Sequence, residues 1–110
     1  MRVNISEPYD DGHCDIDVEI HPWDTWALDH TLALIIIPAL EQLRDNSQSY
    51  PSDLEDFDEW VEVINKMLVA FENIVGDDVG SDEDYWTNER WKETQEGFSL
   101  FGKHYTDLWM

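Results

Sequence analysis

Between residues 14 and 20 apolar and acidic side chains alternate without a break. Cys14, Ile16, Val18 and Ile20 fall on one side and Asp15, Asp17 and Glu19 on the other. A period of two is that of a half-buried strand. Residues 2–6 alternate more weakly, and the intervening EPYDDGH is rich in turn formers. The pattern therefore predicts a β-hairpin over residues 2–20. So short a sheet needs a cover.

The pattern then turns helical. Asp24 or Thr25 is suited to cap a helix over about residues 26–44, with Asp45-Asn46-Ser47 as the loop beyond it. Its central run LALIIIPAL is apolar on nearly every side, which predicts a helix in the middle of a core, kinked or broken in its hydrogen bonding at Pro38. The isoleucines at 35–37 leave a buried strand as the competing reading; the length of the segment favours helix. A second helix carries Phe57, Trp60, Val61, Ile64, Met67, Leu68, Phe71 and Val75 at three- and four-residue steps, with Asp58, Glu59, Glu62, Asn65 and Glu72 facing away. Gly76 ends it, and the acidic link DDVGSDED follows. A third helix is predicted over about residues 85–109, its stripe formed by Trp91, Phe98, Phe101, Tyr105 and Leu108. Gly97 and Gly102 would let a neighbouring backbone come close.

These elements predict an α+β fold, an N-terminal hairpin within residues 1–21 packed on a three-helix core within residues 24–110. No internal repeat and no Pro/Gly/Ser linker divides the chain, and 110 residues fill one core, so a single domain over residues 1–110 is expected. A hydrophobic share of 42% and six tryptophans argue that it folds. Most of those tryptophans are expected as core or interface material, with Trp86 and Trp109 near helix ends the candidates for exposed contacts.

Charge changes the picture most. Asp and Glu number 26 against 6 Lys and Arg, a formal net charge of −20. Gripping a nucleic-acid backbone takes clustered bases, and Arg2, Arg44, Lys66, Arg90, Lys92 and Lys103 are scattered among carboxylates. Direct nucleic-acid binding and docking on an anionic membrane are therefore not expected. Cys14 is alone, which suits a reducing, cytoplasmic setting. The opening MRVNISEPYDDG lacks the apolar stretch of a secretion signal, and the longest apolar run, at 32–40, falls short of a bilayer span.

Two acidic clusters flank the second helix: Asp53, Glu55, Asp56, Asp58, Glu59 and Glu62 before or within its start, and Asp77, Asp78, Asp82, Glu83 and Asp84 after its end. A helix of this length spans about 28 Å, so the two would form an elongated anionic surface. Such a surface imitates the phosphate rows of a duplex and attracts a basic DNA-binding site. The plain alternative is a pair of solvated acidic faces that keep the protein soluble. An EF-hand over 77–84 fails on spacing: with Asp78 as first ligand Glu83 takes the glycine place, and aligning on Gly80 puts Val75 first. Asp29 and His30, one turn after Trp26, suggest an oriented general base but lack a nucleophile. His13, Cys14, His21 and His104 show no metal spacing, and no metal or cofactor is expected. The acid pairs Glu59/Glu62, Glu93/Glu96 and Glu55/Asp58 match the three-residue step by which helical nucleotide pyrophosphohydrolases hold magnesium, a step that arises by chance among so many acids.

The segments WDTWALDHTLALIIIPALEQL and EGFSLFGKHYTDLWM, joined by DEWVEVINKMLVAFE, resemble a group of small, functionally uncharacterised acidic proteins encoded by tailed bacteriophages. The resemblance covers most of residues 23–109, leaves out the hairpin and carries no catalytic residue across. It implies an infected bacterial cytoplasm, and with it a non-enzymatic accessory protein that binds and inhibits a host defence or DNA-handling protein. The expected partner is a basic surface of that protein, with a homodimer also open. The alternatives are a small metal-dependent nucleotide hydrolase and a sponge for a signalling nucleotide, the latter requiring Arg44, Arg90, Lys92 or Lys103 to converge.

Overall fold

The computed structural model describes residues 1–76 and 89–109. Its elements in chain order are β1 (Arg2–Ile5), β2 (Ile16–Glu19), a short α1 (Pro22–Trp26), and the long helices α2 (Leu28–Asn46), α3 (Phe57–Val75) and α4 (Glu89–Lys103), followed by a 3-10 turn at Tyr105–Asp107. The fold is α+β, an antiparallel hairpin followed by helices. The chain forms two compact units, Met1–Thr31 and Leu32–Met110.

In the first unit β1 and β2 pair with Val3 opposite Val18 and Ile5 opposite Ile16, so the apolar residues share one face. On the other face Arg2 bridges Asp17 at 3.1 Å and Glu19 at 3.2 Å. The turn is closed by Ser6, whose N–H donates to the Asp15 carbonyl and whose hydroxyl accepts the Asp15 N–H. Gly12 supplies the left-handed φ of 85° that the tip demands. The strands are shorter than expected, leaving Cys14 and Ile20 outside, and they are not half-buried: all eight strand residues are exposed, Ile16 at 69%.

The expected cap is also corrected. Asp24 lies inside α1, where its carboxylate accepts the His21 N–H at 2.8 Å while its own N–H donates to the His21 carbonyl. This reciprocal closure starts the helix one turn earlier than predicted. The His21 N–H, with smaller help from the amino terminus, holds the Asp24 carboxyl below the usual carboxylate range. Ala27 then leaves helical geometry, at φ −134° and ψ 64°, and separates α1 from α2.

In the second unit α2 continues through Pro38, which lacks the N–H for one rung but does not end the helix. Its apolar run is not central to the core. Ala33 and Leu40 are buried, and Ile36, Ile37 and Leu43 pack beside them, whereas Leu32, Leu34 and Ile35 are exposed. Positions 33, 36, 37, 40 and 43 are one helical face, so α2 joins the core from one direction. The competing strand reading is excluded by the helix itself.

The core centres on α3, with Trp60, Ile64, Met67, Leu68, Ala70 and Phe71 buried as its period predicts. Gly76 ends it, its N–H donating to the Glu72 carbonyl at 2.8 Å, with a φ of −74° and not in the left-handed region. α4 lies against α3. The contact line on α4 is shifted from the predicted stripe: Thr94 and Gly97 are buried, Phe98 and Phe101 flank them edge-on to Phe71 at 5.1 and 5.0 Å, and Trp91 and Tyr105 are exposed. Small residues occupy the line because the backbones nearly touch. A Cβ on Gly97 would sit 2.5 Å from the Ala70 Cβ and closer still to the Lys66 carbonyl. Gly102 has open space around it and permits no such approach. A polar chain crosses the same seam, from Arg90 Nε to Asn73 Oδ1, from Asn73 Nδ2 to Thr94 Oγ1, and from the Thr94 hydroxyl to the Arg90 carbonyl. The predicted start of this helix at 85–88 lies outside the described residues, and its end is corrected from 109 to Lys103, where the chain tightens into the 3-10 turn.

Candidate functional site

The first acidic cluster lies where the chain enters α3. Asp56 is the helix N-cap, its carboxylate accepting the Glu59 N–H at 2.8 Å, and the Glu59 carboxylate accepts the Glu55 N–H at 3.0 Å. Asp58 and Glu59 stand in the first turn, where negative charge meets the positive end of the helix dipole. Asp56 and Glu59 thus have a structural task. Glu55, Asp58 and Glu62 are exposed, and among the described residues none of the three forms an ion pair. Asp53 differs, with Lys103 Nζ at 3.8 Å from its carboxylate.

Most of the bases pair with other carboxylates. Arg2 holds Asp17 and Glu19; Arg44 holds Asp45 and donates to the Asn65 side chain; Lys66 pairs with Glu96 at 3.0 Å. The Glu96 contact, with the nearby Glu62, keeps the Lys66 ammonium above the usual lysine range. Of the cations that a nucleotide sponge would need together, Arg90 donates to Asn73 within the α3–α4 seam, Arg44 on α2 donates to Asn65, and Lys103 lies 3.8 Å from Asp53.

A groove of about 300 Å³ between α3 and α4 is lined by Glu62, Asn65, Lys66, Val69, Glu93 and Glu96. It carries the anionic surface from α3 onto α4, an extension that sequence reasoning missed because Glu93 and Glu96 are far from the first cluster along the chain. Only the helical period of α4, read jointly with that of α3, holds the signal. Of the acid pairs, Glu93/Glu96 and one member of Glu59/Glu62 reach this groove, and Lys66 already occupies Glu96. Asp77, Asp78, Asp82, Glu83 and Asp84 lie outside the described residues.

Asp29 and His30 do not form a dyad. Neighbours in a helix point apart, and no hydrogen bond or ion pair joins them. Of the tryptophans, Trp60 is in the core and Trp109 is exposed, as expected; Trp23, Trp26 and Trp91 are exposed too, and Trp86 lies outside the described residues. No helix among the described residues is long and apolar enough to cross a membrane. No family model, curated protein or solved structure matches the chain.

Proposed function

We propose that this chain is a non-enzymatic acidic accessory protein that docks on a basic, nucleic-acid-binding surface of another protein and blocks it. The infected bacterial cytoplasm is the setting proposed for it, following its resemblance to the phage-encoded group. The observation that carries the reading is the exposed acidic edge at the start of α3. Among the described residues Glu55, Asp58 and Glu62 present carboxylates to solvent without an ion pair, Glu62 near a Lys66 that pairs with Glu96, while most of the chain's few bases are held by other groups. Glu93, across the groove, widens that edge. A net charge of −20 accelerates encounter with a basic groove, and the attraction weakens with salt.

The test is capture of partners from bacterial lysate at low and high salt, followed by competition with duplex DNA. A variant carrying Glu55→Lys, Asp58→Lys and Glu62→Lys leaves the capping pair Asp56 and Glu59 intact. It should keep native helical circular dichroism and lose partner binding at least tenfold, and duplex DNA should displace the wild-type chain. Equal capture by wild type and variant, or a partner indifferent to DNA, rejects the reading. Magnesium-dependent turnover of a nucleotide panel would favour the hydrolase instead.

A further inference from the structure

The C-terminal turn of the second unit gathers a different set of groups. His104 ends the helical path of α4 and is 1% exposed, its ring edge-on to Trp60 at 5.4 Å. Its Nδ1 lies 3.0 Å from a carboxylate oxygen of Asp107, three residues on in the 3-10 turn. Asp53 comes from the loop before α3. One donor atom from each of Asp53, His104 and Asp107 lies within 4.8 Å of the others, and no other group of three such residues occurs among the described residues.

We propose that Asp53, His104 and Asp107 bind one divalent transition-metal ion of the zinc class. Imidazole nitrogen with two carboxylates is a borderline donor set, which suits zinc, cobalt or nickel better than magnesium or calcium. Zinc binds such donors at about 2.0–2.2 Å, which in a tetrahedron places neighbouring ligands roughly 3.3–3.6 Å apart. The Nδ1–carboxylate separation of 3.0 Å has to open by only a few tenths of an ångström to admit the ion. The ion replaces the proton between His104 Nδ1 and Asp107, which leaves to solvent or is carried instead on Nε2, so that the ligating ring is neutral. Asp53, exposed and, among the described residues, ion-paired only with Lys103 at 3.8 Å, can swing in as the third ligand. A cleft lined by Ser49, Tyr50, Pro51, Asp107 and Trp109 opens beside Asp107 and admits water to a fourth position. Two carboxylates with a neutral imidazole carry two negative charges, which a divalent ion balances. Its effect is to staple the loop before α3 to the end of α4, adding stability that rises with the logarithm of free metal above the dissociation constant.

The inference stands independently of the docking role, because Asp53 is left unchanged in the charge-reversal variant. The experiment is calorimetric titration of the full, chelator-stripped chain with zinc, and with magnesium at equal concentration, alongside cobalt absorption spectra. Expected are one zinc per chain, weak magnesium binding, and a cobalt spectrum typical of nitrogen and oxygen ligation. Asp53→Asn and Asp107→Asn should each weaken zinc at least tenfold, Lys103→Gln should tighten it severalfold, and Asp58→Asn, at an exposed carboxylate outside the cluster, should leave it unchanged. His104→Gln should abolish it; the two Asp variants decide the matter if that buried substitution unfolds the chain. No stoichiometric zinc binding, or equal weakening by Asp58→Asn and Asp53→Asn, overturns the site and leaves only diffuse attraction to an acidic surface.

Discussion

The α3–α4 seam and the N-terminal hairpin each begin from one clearly periodic element, α3 and β2, and end in opposite states. In the seam each apolar row meets another: Phe71 lies between Phe98 and Phe101, and Gly97 brings the backbones almost into contact over Ala70. In the hairpin the row Val3, Ile5, Ile16 and Val18 is as regular, yet each of its members is at least 42% exposed. Periodicity reports which face of an element is apolar. It carries no information about what that face will meet, and burial, which supplies the stabilisation, depends on the meeting.

The contrast is most sharply tested at Trp60, 1% exposed at the centre of the helical unit. Trp60→Ala should cost about 3–5 kcal/mol, the range for large aromatic truncations in cores, read as a drop in denaturant midpoint followed by far-ultraviolet circular dichroism. Gly97→Ala comes next, because a single methyl must push α3 and α4 apart; a loss of about 1–3 kcal/mol is expected in the same measurement. A neutral result there would mean that the helices do not approach as described. Ile16→Thr, on the hairpin's exposed row, should change the unfolding of the helical unit by no more than about 0.5 kcal/mol. A loss above 1.5 kcal/mol would erase the distinction between the two regions.

The fold was legible wherever one element's own period decided the outcome. α3 is the clearest case, since five of its eight predicted stripe residues, Trp60, Ile64, Met67, Leu68 and Phe71, are buried. The α2 run misled because nine consecutive apolar positions contain no contrast from which to read a face; the packed side emerges only from the neighbours at 36, 37, 40 and 43. On α4 the large residues drew attention, whereas the closest contact is made by Thr94 and Gly97, whose small size is the reason they are there. The acidic cluster before α3 was visible as composition. That Asp56 and Glu59 serve the helix end, leaving Glu55, Asp58 and Glu62 available, needed coordinates. Asp53, His104 and Asp107 share no local motif beyond the His-x-x-Asp step, so their convergence had almost no signature along the chain.

The distribution of indoles has a practical corollary. Among the described residues four tryptophans, Trp23, Trp26, Trp91 and Trp109, already contact solvent in the folded chain, and Trp60 does not. Bulk emission is therefore weighted toward wet rings and shifts little when the core opens. Replacing those four by phenylalanine would silence most of this background and make Trp60 a far cleaner optical gauge of whether the centre of the helical unit remains dry.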